Sequence, residues 1–286
     1  MRVFLEVVPH NLSVAMHRVA QALRVRAPKG VQIVRTPQDV DLQVLHAIGP
    51  DAIENVVAPR VAVIQYCLHT AHGPASWTTL WRRAELTWSY FDLRDLLPAG
   101  ARFYLAPLGV DPVFRGNGAA RYVGVVTSGY DSGPQAEAIE EVADAALRAE
   151  LSVYHVGPEE VAGMAPRHER TWQSGQSIAD EDLARIYGCA RWVSGLRRVE
   201  GFELPVIEGL ACGARPIVFD RPDMRRWYEG HAVFVPECAG PELVERLVAV
   251  FDALPEPVSL GERRAVLAKF DWGVIAGEFW RQVLER

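Results

Sequence analysis

The sequence has no long apolar run and no excess of positive charge. No apolar stretch reaches the roughly 18–20 residues that a helix needs to cross a bilayer, so we expect at most a peripheral membrane contact. The formal charge of −6 over 286 residues argues against a protein coated with nucleic acid. The opening residues 1–8 are typical of a first strand and not of a signal peptide.

Cysteine is scarce and scattered. The four residues Cys67, Cys189, Cys212 and Cys238 are too far apart in sequence for a metal site or a redox motif. Each lies in or beside an apolar stretch, where a free cysteine behaves as a small core residue. Because reduced thiols are typical of a reducing compartment, we expect a cytoplasmic protein.

Charge is distributed unevenly along the chain. Residues 1–115 hold 12 Lys+Arg and 9 Asp+Glu, a net charge of +3, whereas the remaining residues have a net charge of −9. A mildly basic first half facing an acidic second half suits an anionic ligand on the basic side. Ordinary surface variation also explains so small an excess.

Short runs rich in Val, Leu and Ile alternate with helical patterns along the chain. The runs predict buried parallel strands, and the apolar spacing over 11–25 predicts a first helix. In the second half we expect helices over 137–150 and 180–189, the latter capped by Asp180. The predicted strands are 3–8, 31–34, 41–46, 61–65, 102–106, 122–127, 152–156, 191–195, 216–220 and 232–235.

This alternation predicts an α/β protein with two Rossmann-like domains. Residues 107–118 are dense in turn-forming Pro, Gly and Asn, so we place the domain joint there. Parallel sheets in tandem would face a central cleft at the carboxyl ends of their strands, the usual ligand site of this architecture.

Residues 194–213, SGLRRVEGFELPVIEGLACG, carry the chemistry. A predicted strand runs into a loop holding Glu200 and Gly201, and Pro205 falls where a helix begins. Glu208 is expected in the first helical turn, where the helix dipole favours a carboxylate. Amides near Gly201 and the helix start suit phosphate oxygens. Two carboxylates eight residues apart could therefore hold hydroxyls on both sides of a diphosphate.

The segment resembles the E-x7-E signature of retaining GT-B glycosyltransferases similar to glycosyltransferase family 4. Three other stretches agree with that family in order. They are EDLARIY at 181–187 followed by Ala190, LGVD at 108–111 with Phe114, and FDW at 270–272. The resemblance is dense over 180–286, recognisable over 102–127 and weak before that.

The resemblance implies a GT-B-like fold and a role for each part of the chain. Residues 1–115 would form the N-terminal acceptor-side domain and 116–270 the domain that binds a nucleotide-sugar. Residues 271–286 would form a terminal helix packing back on the N-terminal domain. Members of the family use no metal or other cofactor and retain the anomeric configuration of the sugar.

It also implies roles for the residues of the signature. Glu200 would contact hydroxyls of the donor sugar, and Gly201 and Phe202 would present amides to its phosphates. Glu208 would grip the ribose hydroxyls. Glu203 and Leu204 complete this donor-binding stretch, although the family usually has Gly where Glu203 stands.

Two cations expected from the family are absent from the sequence. Relatives hold the diphosphate with an Arg and a Lys, and Val125 and Tyr130 align with those positions. Losing two charged hydrogen bonds would cost about 3–6 kcal/mol of binding free energy. Arg197 and Arg198 are the expected replacements. The loop that begins with Ser128 and Gly129 could also offer amides and hydroxyls to an anion.

The acceptor-side residues are less well defined. His69 follows the predicted strand 61–65, where relatives often place a His near the reactive carbon, and His72 is the weaker candidate. His10 and Asn11 would fall at the cleft mouth. Trp77, Trp81 and Trp88 are expected on one face of a helix starting near residue 75. They suit either core packing or an aromatic wall that would make Trp77 an acceptor contact.

The sequence therefore predicts a retaining glycosyltransferase that moves a sugar from a nucleotide-diphosphate sugar to an acceptor hydroxyl. The acceptor could be a saccharide, a glycolipid or a modified DNA base. A non-catalytic nucleotide-sugar-binding protein that lost the donor cations is a second interpretation. Another GT-B activity, such as a sugar-nucleotide epimerase or a phosphorylase, is a third.

Overall fold

The computed structural model describes residues 1–6, 14–68, 73–115, 123–129, 137–157, 178–253, 256 and 258–285. The chain divides into two compact units. Unit 1 comprises Met1–Gly109 and Phe270–Arg286, and unit 2 is the continuous segment Val110–Lys269. In the described part of the chain, no helix has the length and apolarity needed to cross a bilayer.

Unit 1 contains a parallel sheet of six strands with the order β2-β1-β3-β4-β5-β6. Apolar strands bury both faces, as parallel sheets require, and every residue of the strand Leu42–Ala47 is buried. The strands are β1 Arg2–Leu5, β2 Gln32–Val34, β3 Leu42–Ala47, β4 Arg60–Gln65, β5 Leu86–Ser89 and β6 Phe103–Leu105. The helices are α1 Val14–Val25, α2 Thr78–Arg83, the terminal α9 Trp272–Leu284, and the 3₁₀ turns Pro50–Asn55 and Pro74–Trp77.

The helix predicted to start near residue 75 is shorter than expected. The helix that begins at Thr78 ends at Arg83, and Trp88 lies on β5, which the sequence analysis did not predict. The three tryptophans therefore do not share a helix face. All three are fully buried, and Trp77 stacks on Trp81 with ring centroids 6.4 Å apart. Packing in the core is their role in this fold.

The terminal helix α9 belongs to unit 1 through specific contacts. The indole of Trp280 donates to the carbonyl of Leu23 at 3.0 Å, and the Tyr104 hydroxyl donates to the carbonyl of Ile275 at 3.0 Å. A Cβ on Gly109 would lie 2.3 Å from the Trp272 ring, so only glycine permits that approach.

Unit 2 contains a second parallel sheet of five strands with the order β11-β10-β9-β7-β8. Its strands are β7 Val123–Ser128, β8 Val153–Val156, β9 Ala190–Gly195, β10 Arg215–Phe219 and β11 Val233–Val235. Its helices are α3 Ile139–Arg148, α4 Asp180–Cys189, α5 Leu204–Cys212, α6 Pro222–Tyr228, α7 Gly240–Asp252 and α8 Leu260–Lys269. Ala179, not Asp180, is the N-cap residue of α4, and it has no side-chain capping bond.

Every residue of the helix α5 is buried, and all of them except Glu208 are apolar. Glycines allow it to lie close to the sheet. A Cβ on Gly209 would come within 2.7 Å of the Val193 side chain on β9, and a Cβ on Gly195 within 2.3 Å of Val206. This close packing places the first turn of α5 next to the carboxyl end of β9.

Candidate functional site

The carboxyl edge of the unit 2 sheet brings together most of the predicted donor-binding residues. Ser128 ends β7, Arg197 and Arg198 follow β9, Glu203 precedes α5, and Arg221 follows β10. Parallel strands place their carboxyl ends at one edge of a sheet, which is where ligands bind in this architecture.

Arg197 lies at the centre of this edge and is 4% exposed. Its Nε is 3.0 Å from Glu137 Oε1 and its Nη1 is 2.7 Å from Glu203 Oε2. Its Nη2 donates to the carbonyl and hydroxyl oxygens of Ser128, each at 2.9 Å. One guanidinium therefore joins the end of β7, the approach to α3 and the start of α5.

Glu203 is buried in the same cluster, with 2% of its surface exposed. Burial raises the pKa of its carboxyl to about 8, against the opposing effect of Arg197 and with further upward effects of Glu200 and Glu137. Its second oxygen, Oε1, is buried and has no hydrogen-bond partner among the described residues. The cluster therefore has one buried guanidinium shared by two buried carboxyl groups.

Aromatic residues of α6 fix the loop before α5. The Glu203 amide donates to the Tyr228 hydroxyl at 2.7 Å, and that hydroxyl lies 3.1 Å from the Glu203 carbonyl. The Phe202 ring stacks on the Tyr228 ring with centroids 5.7 Å apart. The amide of Glu203 is thus already bonded within the protein, and the contact of the Gly201 and Phe202 amides with a phosphate stays a prediction.

Arg221 holds the loop that carries Glu200. Its guanidinium donates to the carbonyl oxygens of Arg198 and Glu200. Arg198 points to a different neighbour, because its Nη2 donates to the Cys238 carbonyl at 3.0 Å and lies 3.6 Å from Glu141 Oε1. The two adjacent arginines thus have different surroundings, and only Arg197 lies beside Glu203.

The other residues of the signature stay close to the start of α5. Gly201 and Leu204 are buried, and Glu200 is half-buried in the loop. Glu208 is 2% exposed and lies in the second turn of α5, not the first as expected, because the helix begins at Leu204. Its contact with a ribose stays a prediction.

The end of β7 is more tightly occupied than the sequence suggested. The Gly129 amide donates to the Val156 carbonyl at 3.0 Å, and a Cβ on Gly129 would lie 3.1–3.2 Å from three side chains, among them His155 and Glu137. Val125, at one of the two basic positions of the family, is fully buried. Tyr130, at the other position, lies outside the described residues.

Sequence reasoning missed Glu137, Arg221 and Tyr228. Arg221 could have been found, since it directly follows a predicted strand, as Arg197 does. Glu137 and Tyr228 enter the site through tertiary packing alone, and no local pattern marks them.

Most of the residues predicted for the acceptor side belong to parts of unit 1 that the structure does not describe. His69, His72, His10 and Asn11 lie outside the described residues. Trp77, the remaining candidate, is fully buried and presents no surface to an acceptor, so that expectation is corrected.

The carboxyl edge of the unit 1 sheet nevertheless carries a buried polar network. His46 Nδ1 is 2.7 Å from the Tyr66 hydroxyl, and the Tyr90 hydroxyl donates to the Tyr66 carbonyl. The Trp81 indole donates to Gln65 Oε1 at 2.8 Å. Burial lowers the pKa of His46 to about 4, so the imidazole is neutral near pH 7. His46 and Gln65 lie at the ends of β3 and β4, Tyr66 and Tyr90 directly follow β4 and β5, and Trp81 lies on α2.

Neither unit shows a metal centre in the part of the chain that the structure describes. No three His, Cys, Asp or Glu side chains there come together in a way that could hold a metal ion. Two of the buried carboxyl groups of unit 2, those of Glu137 and Glu203, pair with a guanidinium instead.

No family model and no curated protein matches the chain. Solved structures do. The chain is similar to the sucrose-phosphate synthase of Thermosynechococcus elongatus, with a TM-score of 0.71, 15% identity and 99% of each chain covered. It is also similar to HepE of Anabaena in complex with UDP-glucose, with a TM-score of 0.69, 13% identity and 99% of each chain covered. The α,α-trehalose-phosphate synthase of Burkholderia xenovorans, in complex with glucose-6-phosphate, scores 0.67 at 11% identity over 99% of this chain and 100% of that one.

These likenesses, together with two parallel α/β sheets, show that the chain has a GT-B-like fold. The predicted fold class is confirmed. The finer assignment to family 4 stays a resemblance of sequence.

Proposed function

We propose that this protein is a glycosyltransferase that takes a sugar from a nucleotide-diphosphate donor bound at the carboxyl edge of unit 2. The observation that carries the proposal is the start of α5. There the E-x7-E segment, the loop holding Glu200 and the buried Arg197–Glu203 pair meet at the ligand-binding edge of the sheet. The similar structures include HepE in complex with UDP-glucose.

The proposed chemistry is electrostatic. Backbone amides at the start of α5 and the guanidinium of Arg221 beside the Glu200 loop would stabilise the departing diphosphate. Glu200 would orient the donor sugar, and the acceptor hydroxyl would attack the face from which the diphosphate leaves. Retention of configuration and independence from metal belong to this proposal, and they follow from the family resemblance.

A panel of UDP-, GDP- and ADP-sugars tests this proposal. We expect one nucleotide class to raise the melting temperature, because a ligand that binds the folded state stabilises it by mass action. Mass spectrometry should then detect a transfer or hydrolysis product, and NMR of the product should show the donor's anomeric configuration. A melting temperature that no donor raises would refute the proposal.

The substitution Glu208→Ala tests the ribose assignment. We expect it to abolish the donor-induced rise in melting temperature, because the carboxylate would supply the hydrogen bonds to the ribose. Glu262→Ala is the control, since Glu262 pairs with Arg215 at the opposite end of β10. A shift that persists in Glu208→Ala would show that this residue does not bind the nucleotide.

One observation favours a second candidate, a binding protein without transfer activity. Val125 is buried where relatives carry a cation, and the charge of Arg197 is already matched by two protein carboxyl groups. Such a protein would show the donor-induced melting shift with no product. Localisation in the cytoplasm, and the choice of a saccharide, a glycolipid or a DNA base as acceptor, stay predictions.

A further inference from the structure

The donor site proposed above poses an electrostatic problem. A nucleotide-sugar diphosphate carries two negative charges, and the start of α5 already holds Glu200 and Glu203. The charged and titratable groups that face Glu203 are Arg197 after β9, Glu137 before α3, Glu200 in its own loop, Arg221 before α6 and Tyr228 on α6. Within this group, two guanidinium groups face three carboxyl groups before any ligand arrives.

The geometry of the cluster shows where that charge can be relieved. Arg197 contacts Glu137 and Glu203 at 3.0 and 2.7 Å, so one positive charge is divided between two buried carboxyl groups. Glu203 Oε1 is enclosed by protein and has no partner among the described residues. A buried ionised carboxylate with an unsatisfied oxygen is costly, and a proton on it removes the cost.

We propose that the Arg197–Glu137–Glu203 cluster completes the diphosphate site, and that binding of a nucleotide-sugar is accompanied by uptake of a proton on Glu203. The protein thus neutralises the diphosphate by removing a negative charge where its relatives supply positive ones. This inference rests on the proposed function, since it takes the diphosphate to lie at the start of α5. Glu203 acts here as a binding-site residue through its charge.

The cluster has the chemistry that this uptake requires. The pKa of the Glu203 carboxyl is about 8 without ligand, so about half of the molecules carry the proton near pH 8. A dianion beside the carboxyl raises that pKa further, because like charges disfavour ionisation. The proton comes from buffer, and no bond to the donor is made or broken in this step.

Calorimetry of donor binding in two buffers of different ionisation enthalpy measures the uptake directly. UDP-glucose, GDP-mannose and ADP-glucose are the probes, since their diphosphates carry no titrating proton near neutral pH. We expect uptake of about half a proton near pH 8, rising toward one proton near pH 9, and an affinity that falls by up to about tenfold per pH unit there.

The substitution Glu203→Gln separates this effect from general electrostatics. Glutamine mimics the protonated carboxyl, so at pH 7 the variant should bind the donor within about threefold of the native affinity, with no proton uptake and no pH dependence between about 7 and 9. Glu137→Gln should move the uptake to lower pH, because the charge of Glu137 raises the pKa of Glu203 and its removal lowers that pKa. Glu262→Gln, a carboxylate paired with Arg215 outside the site, should keep the native uptake.

The possible outcomes are distinct. Donor binding with no buffer dependence in the native protein would overturn the inference and leave the proposed function standing. Uptake that persists in Glu203→Gln would also overturn it, since another group would then carry the proton. Failure of the native protein to bind any of the three nucleotide-sugars would overturn both the inference and the proposed function.

Discussion

At the scale of single residues, the two adjacent arginines of the 194–213 segment show how burial decides a role. Both were expected as cations for a diphosphate. Arg197 is enclosed between Glu137 and Glu203, whereas Arg198 is directed at Glu141 and the Cys238 carbonyl. Direct contact of either arginine with a donor stays a prediction, but the charge of Arg197 is already matched inside the protein.

His46 gives a prediction at the same scale. Its pKa is lowered from 6.5 to about 4 by burial, so between these values the unfolded chain binds more protons than the folded one. The free energy of unfolding of unit 1 should therefore fall as the pH drops from about 6.5 to about 4, by about 3 kcal/mol in total. Hydrogen exchange of peptides covering β3 and β4, followed as a function of pH, measures this loss of unfolding free energy.

Two His→Gln variants test this prediction, one in each unit. His46→Gln removes the titrating group and should flatten the pH dependence of exchange in β3 and β4. His231→Gln, in unit 2, should leave that dependence as in the native protein. Equal pH dependence in the native protein and in His46→Gln would contradict the prediction.

At the scale of elements, the packing of α5 on β9 positions the residues of the proposed donor site. The methyl group of Gly209→Ala would meet the Val193 side chain at 2.7–3.1 Å, and all of α5 is buried. Overpacking should cost about 1–3 kcal/mol, more than alanine gains in helix propensity. Denaturant unfolding followed by a unit 2 signal should show this loss, together with weaker nucleotide binding.

The control for this prediction is the same glycine-to-alanine substitution in another helix. A Cβ on Gly277 in α9 meets nothing within 4 Å, so Gly277→Ala should stabilise the protein by about 0.5–1 kcal/mol. If Gly209→Ala also stabilised the protein, the close contact between α5 and β9 would not be a constraint on the site.

The elements differed in how far the sequence could predict them. The apolar runs predicted nine of the ten proposed strands to within two residues at each end, because buried parallel strands leave a contiguous apolar signature. The tenth, at 3–8, runs beyond the described residues. The strand Leu86–Ser89 was missed, since its tryptophan fits helical spacing with Trp77 and Trp81.

Apart from Ser128 and Gly129 at the end of β7, the candidate site was predictable only where it is continuous in sequence. The residues from Arg197 to Glu208 came from one motif and lie together in the fold. Glu137 and Tyr228 reach the same place through the α3 approach and α6, and their partners are set by tertiary packing. Local pattern carries no information on such long-range contacts.

At the scale of the whole molecule, unit 1 is built from both ends of the chain. The terminal segment supplies buried Phe270, Trp272, Phe279 and Trp280 to that unit. A chain ending at Lys269 should therefore lose cooperative folding of unit 1, because burial of each large aromatic contributes about 1.5–3 kcal/mol. Hydrogen exchange should show unprotected β3 and β4.

Unit 2 provides the internal control in the same experiment. It is the continuous segment Val110–Lys269, so protection of α5 and β9 should stay as in the full chain. Loss of protection in both units would show that the terminal helix supports the whole protein.

The return of the last helix to the first sheet also sets an order during synthesis. The ribosome delivers the segment before Gly109 first, but that unit lacks its closing helix until residues 270–286 emerge. The segment with the proposed diphosphate site is complete at Lys269, before the residues of α9 are made, and domains fold as units once their chain is available. The segment translated second is therefore synthesised in full before unit 1 is, and until residues 270–286 follow, unit 1 lacks the buried aromatic side chains that they supply.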